Sequence, residues 1–432
     1  MVHSYSTTEE NCPKCVQTRL LSREKKCAIH VKSASLAKHS QILDTDNIHG
    51  SSPPGVFVGQ FGYPYVMIGP MVPPITGNTE VLDTPELWLG KNFEQIVDFR
   101  HTLVRGCSKA NIYDANRSNK LVENLQELAM TTKPIDSELM LTRRPQKILD
   151  LSEDSQPFGP IAPLKSFKTT NTSVDRRIEG AFYDTDLSAD EAIFDLFSDD
   201  VLVTRIQRAF SMGMFGLGKR RKLVPTRWSI TAVDSNLGLN LIAGIKQNRS
   251  IDQYRVYKYT YLDNIYVSVL TPEEWKFEWI EAWFEPEILA MGFPETNFTT
   301  EVQTSNYVSP HGYRPATIGD WEGYWGRKTY AKPGGCYYTS RFVVAEYLNS
   351  ISRQAGVIML REIHPGYIMP VGVWNVRESL RELFKGDYER FDTLDAALNY
   401  ACTILEIPKK NWIETSNLLR EGYFQKKLSS FM

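Results

Sequence analysis

The chain lacks any apolar run long enough to cross a bilayer. Its start, MVHSYSTTEENCPKC, is polar and has no apolar stretch of the kind a secretory leader carries. It lacks a charge excess too: 49 basic residues stand against 51 acidic ones, a formal net charge of −2. The whole-chain balance therefore gives nucleic-acid binding no support, and any such role must rest on local patches. Cysteine is scarce, with six in 432 residues, and three of the six fall within the first 27. That excludes a disulfide-built scaffold. The expected location is cytoplasmic, where clustered thiols favour a metal over disulfides. On that reading the sequons at Asn171, Asn248 and Asn297 carry no weight. No internal repeat is present.

What remains is globular: 42% of residues are hydrophobic and 23% charged, with length enough for two or more domains. Residues 1–50 are polar and end at the HGSSPPG cluster, which reads as a boundary. Short apolar runs in VFVGQFGYPYVMIGPMVPP follow and read as strands. NFEQIVDFRHTLVR, NKLVENLQELAM and DDVLVTRIQRAFSM have helical spacing. Residues 151–175 read as an irregular connection. Ser188 and Glu191 have the spacing of a capping box before a helix. RWSITAVDS and RVYKYTYLDNIYVSVL are β-branched and aromatic, which predicts strands.

TPEEWKFEWIEAWF has Thr271 as cap, Pro272 at the first helical position and Glu274 at the third. That predicts a helix, although its alternating tail also suits a strand. Further helices are expected in YTSRFVVAEYLNSISRQ, RESLRELFKG and TLDAALNYACTIL, and one from Pro408 to about Gly422, with a strand in GVIMLREI. Strands and helices mix without strict alternation. The expected class is therefore α+β, or an irregular α/β, with a mixed-sheet body. The expected divisions are a zinc-finger-like segment at 1–50, body regions at 51–300 and 301–415, and a terminal helix end and tail at 416–432.

Cys12, Cys15, Cys27 and His30 form two pairs, each with two intervening residues, and the pairs are eleven residues apart. Zinc takes four sulfur or nitrogen ligands in a tetrahedron, and two such pairs can wrap one ion. A closed set of this kind is structural, folding a segment too polar to fold alone. His3 is an alternative fourth ligand. Further on, GMFGLGKR at Gly213–Arg220 nearly matches a phosphate loop but has Arg220 where a Ser or Thr must hold magnesium. It follows a helical pattern rather than a strand, so it reads as a glycine turn. The basic run Lys219, Arg220, Arg221 and Lys222, with Arg205 and Arg208 nearby, is a candidate phosphate-binding patch or a solvated loop.

On a helix, Trp275, Trp279 and Trp283 would share one face, with Glu278, Glu281 and Glu285 on an adjacent stripe. Such a Trp stripe is more often core than a base-stacking platform. GDWEGYWGRKTYAKPGG crowds Asp320, Glu322, Arg327, Lys328 and Tyr330 between glycines, a composition common in functional loops. Arg361, Glu362, His364, Arg377 and Glu378 follow, and His364 reads as a surface histidine before a turn rather than a general acid–base. No nucleophile–base spacing is recognisable. An enzyme acting on nucleic acid or a nucleotide, sited near Glu278–Glu281 or Asp320–Tyr330, stays open, as does a non-enzymatic scaffold.

FGYPYVMIGPMVPP, RRKLVPTRWSITAVD, FEWIEAW, GRKTYA, RQAGVIMLREIHPGYIMPVGVWNVRES and the terminal QKKLSSFM together resemble the archaeal Nre family of DNA repair proteins. The resemblance runs from about Cys12 to Met432. It implies a role in DNA damage repair, contact with DNA directly or through partners, and an N-terminal zinc-finger-like segment. It also implies docking on the sliding clamp PCNA through a C-terminal PIP motif, and so a nucleoid-associated location when clamp-bound. Family members usually carry four cysteines at the N-terminus, where this chain has His30 in fourth place. The resemblance supplies no catalytic residue.

A PIP peptide places Gln, an aliphatic residue and two aromatics at its first, fourth, seventh and eighth positions. Here those are Gln425, Leu428, Phe431 and Met432. In a 3₁₀ turn residues three apart eclipse, so Leu428 and Phe431 can enter one apolar pocket while Gln425 hydrogen-bonds at its rim. Met432 is flexible enough to fill apolar space but loses the ring contacts. A looser match, Gln253, Val256 and Tyr259, lies in a predicted strand whose side chains are committed to two faces.

Overall fold

The computed structural model describes residues 15, 26–40, 44–145, 158–170, 173–284, 303–304, 306–310, 312 and 314–424. The chain divides into two compact units: residues 31–151 with 157–237, and residues 1–30, 152–156 and 238–432. Each has its own mixed sheet, and the class is α+β. Among the described residues no helix is long and apolar enough to cross a membrane.

Helix α1 (Ala28–Lys38) precedes the first sheet, whose strands are β1 (Asn47–Ser52), β2 (Val56–Val58), β3 (Tyr65–Val72), β4 (Val104–Asn111), β5 (Ile135–Leu141) and β6 (Ile161–Thr169). Their order is β1-β5-β6-β4-β3-β2, with β4 and β6 parallel and every other pair antiparallel. The HGSS of the expected boundary lies within β1. Helices α2 (Phe93–Thr102), α3 (Lys120–Met130), α4 (Arg176–Tyr183), α5 (Ala189–Ser198), α6 (Val203–Ser211) and α7 (Thr226–Ile245) follow in chain order among the strands and after them.

Local chemistry starts these helices, at Ser188 as expected and at Asn92 in the same way. Asn92 and Gln95 form a reciprocal capping box on α2, and Ser188 and Glu191 form one on α5. On β3, Val66, Ile68 and Val72 turn inward while Tyr65 and Met67 face solvent, the period-two pattern of a half-buried strand. Two carboxylates pin helix α6 within the unit. Asp83 binds Arg100 at 2.8 Å and Arg208 at 2.7 Å. Asp175 binds Arg177 at 2.7 Å and Arg205 at 2.8 Å, and those donors hold its carboxyl far below the usual range.

The second sheet has order β10-β11-β9-β12-β8-β7-β13. Its strands are β7 (Tyr254–Tyr261), β8 (Asn264–Thr271), β9 (Lys276–Trp283), β10 (Gln303–Thr304), β11 (Ala316–Glu322), β12 (Gly356–Ile363) and β13 (Glu389–Phe391). Only β9 and β12 are parallel. Leu262 and Asp263, at φ 49° and 56°, close the β7–β8 hairpin, the backbone a tight two-residue turn requires. Helices α8 (Gly335–Ser350), α9 (Trp374–Lys385), α10 (Leu394–Ile404), α11 (Lys409–Thr415) and α12 (Asn417–Phe424) complete the unit. One core packs Val267, Ile280, Ile358 and Leu360 against Leu398, Ala401, Trp412 and Leu419 of the last three helices. Strands β9 and β12 are buried on both faces.

Four expectations change. The segment 271–284 is a turn and strand β9, not a helix. Trp275, Trp279 and Trp283 are four apart, and four is both a helical repeat and an even number, so the stripe fits either period. RWSITAVDS is the start of helix α7, not a strand: Val233, Leu237, Leu241 and Ile245 make a buried stripe at intervals of four. Residues 161–169 of the expected irregular connection are strand β6, which carries Pro163 within it. The expected last helix is two, broken at Ser416.

His101 of α2 is buried, with no hydrogen-bond partner for Nδ1, and burial followed by the charge of His39 pushes its pKa down to about 4. The unfolded chain takes up this proton near pH 6.5, whereas the folded chain resists until about pH 4. Stability should therefore fall as pH drops from 6.5 to 4, by at most about 3 kcal/mol from this group. Denaturant titrations across that window should show a shallower pH dependence in His101→Phe; an unchanged slope would refute the assignment.

Candidate functional site

Cys27 stands directly before helix α1 and His30 lies in its first turn, so a spacing of three brings their side chains onto one face. His30 Nδ1 lies 3.3 Å from Cys27 Sγ and 3.1 Å from Cys15 Sγ. The Cys27 amide donates to Cys15 Sγ at 3.4 Å. The three ligand atoms all lie within 4.8 Å of one another, and both cysteines are buried. Among the described residues this is the one group of three or more His, Cys, Asp or Glu so arranged. Two thiolates and an imidazole suit zinc, and the separations approach the roughly 3.5 Å edge that metal–ligand bonds of about 2.0–2.3 Å imply for a tetrahedron. Cys12, His3 and the tail residues Gln425, Leu428, Phe431 and Met432 lie outside the described residues.

The basic run disperses. Gly213 and Gly216 take φ of 66° and 101° in a turn that ends helix α6, so the glycine loop is a helix stop. Arg221 is buried and donates to the carbonyls of Gly216, Phe182 and Asp184 at 2.6, 2.5 and 2.6 Å. It therefore locks the loop and is not available to a phosphate. Arg205 and Arg208 are tied to Asp175 and Asp83. Lys219, Arg220 and Lys222 remain exposed, with Lys222 Nζ 5.0 Å above the Tyr113 ring.

In the second unit the acids expected to share a stripe face opposite ways, because Glu278 and Glu281 are an odd number apart on a strand. Glu281 lies opposite Arg361 in the parallel register and binds it at 3.0 Å. The Nε1 groups of Trp279 and Trp283 also donate to it, each at 3.1 Å. Arg361 donates Nε and Nη2 to Asn264 Oδ1 at 3.0 and 2.7 Å. The rings of Tyr266, Trp283 and Tyr367 close around its guanidinium at 5.4, 5.7 and 5.6 Å. Cys336 lies against the same carboxylate. Loss of water around the sulfur, then the Glu281 charge, push its thiol well above the ordinary range. A thiol held protonated in this way is a poor nucleophile.

On the other face, Glu278 accepts from Ser416 Oγ and from the Asn417 and Leu418 amides, the latter two at 2.7 and 3.0 Å. It thus serves as a remote cap for α12. Glu362 holds the turn between α10 and α11, accepting from the Glu406 and Ile407 amides at 2.9 and 2.8 Å. His364 is half-buried rather than on the surface: it stacks on Phe284 at 4.3 Å and meets Glu362 at 3.2 Å. Burial pulls its pKa down, but the bond to Glu362 more than offsets this and leaves it raised. In the glycine-rich loop Asp320 binds Arg327 at 2.6 Å, and Glu322 binds Arg341 at 3.0 Å. Lys328, Tyr330 and Trp325 point outward. Arg361 as the partner of Glu281 was not foreseeable, since it lies 80 residues away in the chain.

The fold and site define a two-sheet α+β chain with a Cys/Cys/His trio that could hold a metal ion and with buried acids used as internal anchors. Residues 21–288 match the family described as archaeal Nre, N-terminal, and residues 322–431 match archaeal Nre, C-terminal. The chain belongs to the archaeal Nre family. It is 40% identical over 423 residues to DNA repair protein NreB of Archaeoglobus fulgidus, covering 98% of this chain and 100% of that one. It is 32% identical to DNA repair protein NreA of the same organism, over 93% of this chain and 95% of that one. For DNA repair protein NreA of Haloferax volcanii the identity is 30%, over 88% and 89%. No solved structure matches.

Metal analysis of the purified protein should find about one zinc per chain, reduced in Cys15→Ser and in Cys27→Ser. Equal content in the variants and the parent would refute the site. Replacing Arg361 with Met strands the Glu281 charge, which should cost about 3–5 kcal/mol in chemical denaturation. Adding Glu281→Gln should recover part of that loss; no recovery would show that the pair is not the source.

Proposed function

We propose that this chain is a DNA damage repair factor that is carried to DNA by the sliding clamp PCNA. The observation that carries the repair role is the end-to-end relationship to chains named DNA repair proteins, 98% of this one at 40% identity. Clamp docking goes further. It is supported by the terminal Gln425, Leu428, Phe431 and Met432 and by their position after α12, which ends at Phe424. The C-terminal family match extends to residue 431 and so takes in most of that motif. Lys426 and Lys427 suit an acidic rim on the partner. Zinc on Cys12, Cys15, Cys27 and His30 has a structural part in this reading, fixing the polar N-terminal segment.

An enzymatic reading draws no support from the acids that suggested it. Glu278, Glu281, Asp320 and Glu322 are each engaged by partners within the fold. Deletion of residues 425–432 should abolish binding to PCNA in a pull-down or calorimetric titration. The intact chain should bind at about micromolar Kd, near −8 kcal/mol. Phe431→Ala should weaken it at least tenfold, and undiminished binding after the deletion would overturn the clamp reading.

A further inference from the structure

The first sheet leaves a group of aromatic rings on the surface that its own core does not use. Loop 59–64, between β2 and β3, presents Phe61 and Tyr63, which are 83% and 48% exposed. Tyr65 and Tyr113 are 52% and 42% exposed, and Trp228, in the first turn of α7, is 46% exposed. Backbone bonds knit these positions into one neighbourhood. The Ile112 amide donates to Pro64 O at 3.0 Å, and the Leu223 amide donates to Ile112 O at 2.8 Å. The Val58 amide donates to Thr226 Oγ1 at 2.9 Å, and the rings of Tyr63 and Trp228 lie 5.6 Å apart.

Cations sit among the rings. Lys109, opposite Met67 in the β3–β4 register, places Nζ 5.1 Å above Tyr65. Lys222 and Arg117 lie 5.0 and 5.7 Å from the Tyr113 ring. No ion pair engages Lys109, Lys222 or Arg117 among the described residues. The neighbouring acid, Asp114, is spent on local structure, accepting from the Asn111 amide and from Asn119 Nδ2 at 3.1 Å each. Exposed aromatics are costly to leave in water, and a surface that alternates them with unneutralised cations matches one chemistry closely. Unpaired bases stack on the rings, and the phosphates between them meet the cations.

We infer that this face binds single-stranded nucleic acid, with Tyr65, Tyr113 and Trp228 as stacking residues and Lys109, Lys222 and Arg117 as phosphate-binding residues. A duplex hides its base faces and would use only the cations, so single strands bind better. The choice of nucleic acid over an acidic protein rests on the repair reading, whereas the surface itself does not depend on the clamp.

The test is fluorescence anisotropy of the full chain with labelled oligo(dT) and with a duplex of equal length, at several salt concentrations. The single strand should bind more tightly. The Tyr65→Ala/Trp228→Ala double variant should lose affinity at least tenfold with an unchanged circular dichroism spectrum and melting temperature. Lys109→Ala/Lys222→Ala should weaken binding and reduce the salt dependence, by a slope of about 0.7 for each phosphate no longer neutralised. Trp325→Ala, which removes a 93% exposed ring of the second unit, should leave affinity unchanged. Preference for the duplex, or parental affinity in both double variants, would overturn the inference. Deleting 425–432 should not alter oligonucleotide binding. Loss of clamp binding with DNA binding kept therefore separates the two claims, and failure of either is read independently.

Discussion

A carboxylate and a guanidinium face each other inside a sheet, and the second unit is arranged around them. Glu281 and Arg361 occupy matching positions on β9 and β12, the one parallel strand pair of that sheet, and both are almost fully buried. Removing two such charges from water costs several kcal/mol each, and the interior tolerates them only if every donor and acceptor is answered. Two indole N–H groups, the Asn264 oxygen and three aromatic rings do so. Each of those partners must then hold its place, which ties β8, β9, β12 and the chain around Tyr367 into one rigid block. The arrangement specifies register: shifting β12 by one residue would send Arg361 to the opposite, apolar face.

The same device recurs with a different purpose on the opposite face. Glu278 and Glu362 reach from sheet strands to the free amides at the start of α12 and after α10. Those amides have no intrahelical or strand partner, and a carboxylate is the strongest acceptor for them. Burial raises the Glu278 pKa while its Ser416, Asn417 and Leu418 donors pull it back. In the first unit Asp83 and Asp175 gather Arg100, Arg208, Arg177 and Arg205 in the same way. A protein with nearly equal numbers of acids and bases thus spends many of them inside. The charges left on the surface at Lys109, Lys222 and Arg117 stand out because they lie against aromatic rings.

Helix starts were legible wherever the signal is local. Ser188 with Glu191 behaves as read, since a capping box is complete within four residues. So were strands whose alternation is clear, such as Tyr65–Val72 and the pair Tyr254–Tyr261 and Asn264–Thr271. Residues 271–284 misled because Trp at every fourth position satisfies both helical and strand periods. Only burial of β9 on both faces, by helices distant in sequence, decides between them. RWSITAVDS misled because its β-branched residues fill one short window, while the buried stripe that makes it helical continues to Ile245. The basic run was read as one patch because adjacent residues look alike in sequence. Folding turns Arg221 inward onto three carbonyls and leaves its neighbours outside.

The sequence by itself determined the soft ligand set at Cys15, Cys27 and His30, the local caps, and membership of a family whose motifs run through the whole chain. These depend on residue type at short spacing, which the linear order carries directly. Only the tertiary structure decided which charges are available for function. Whether Glu281, Arg221 or Lys109 can meet a ligand depends on partners dozens of residues away. Only packing decides which of them it desolvates and pairs, and which it leaves among exposed rings.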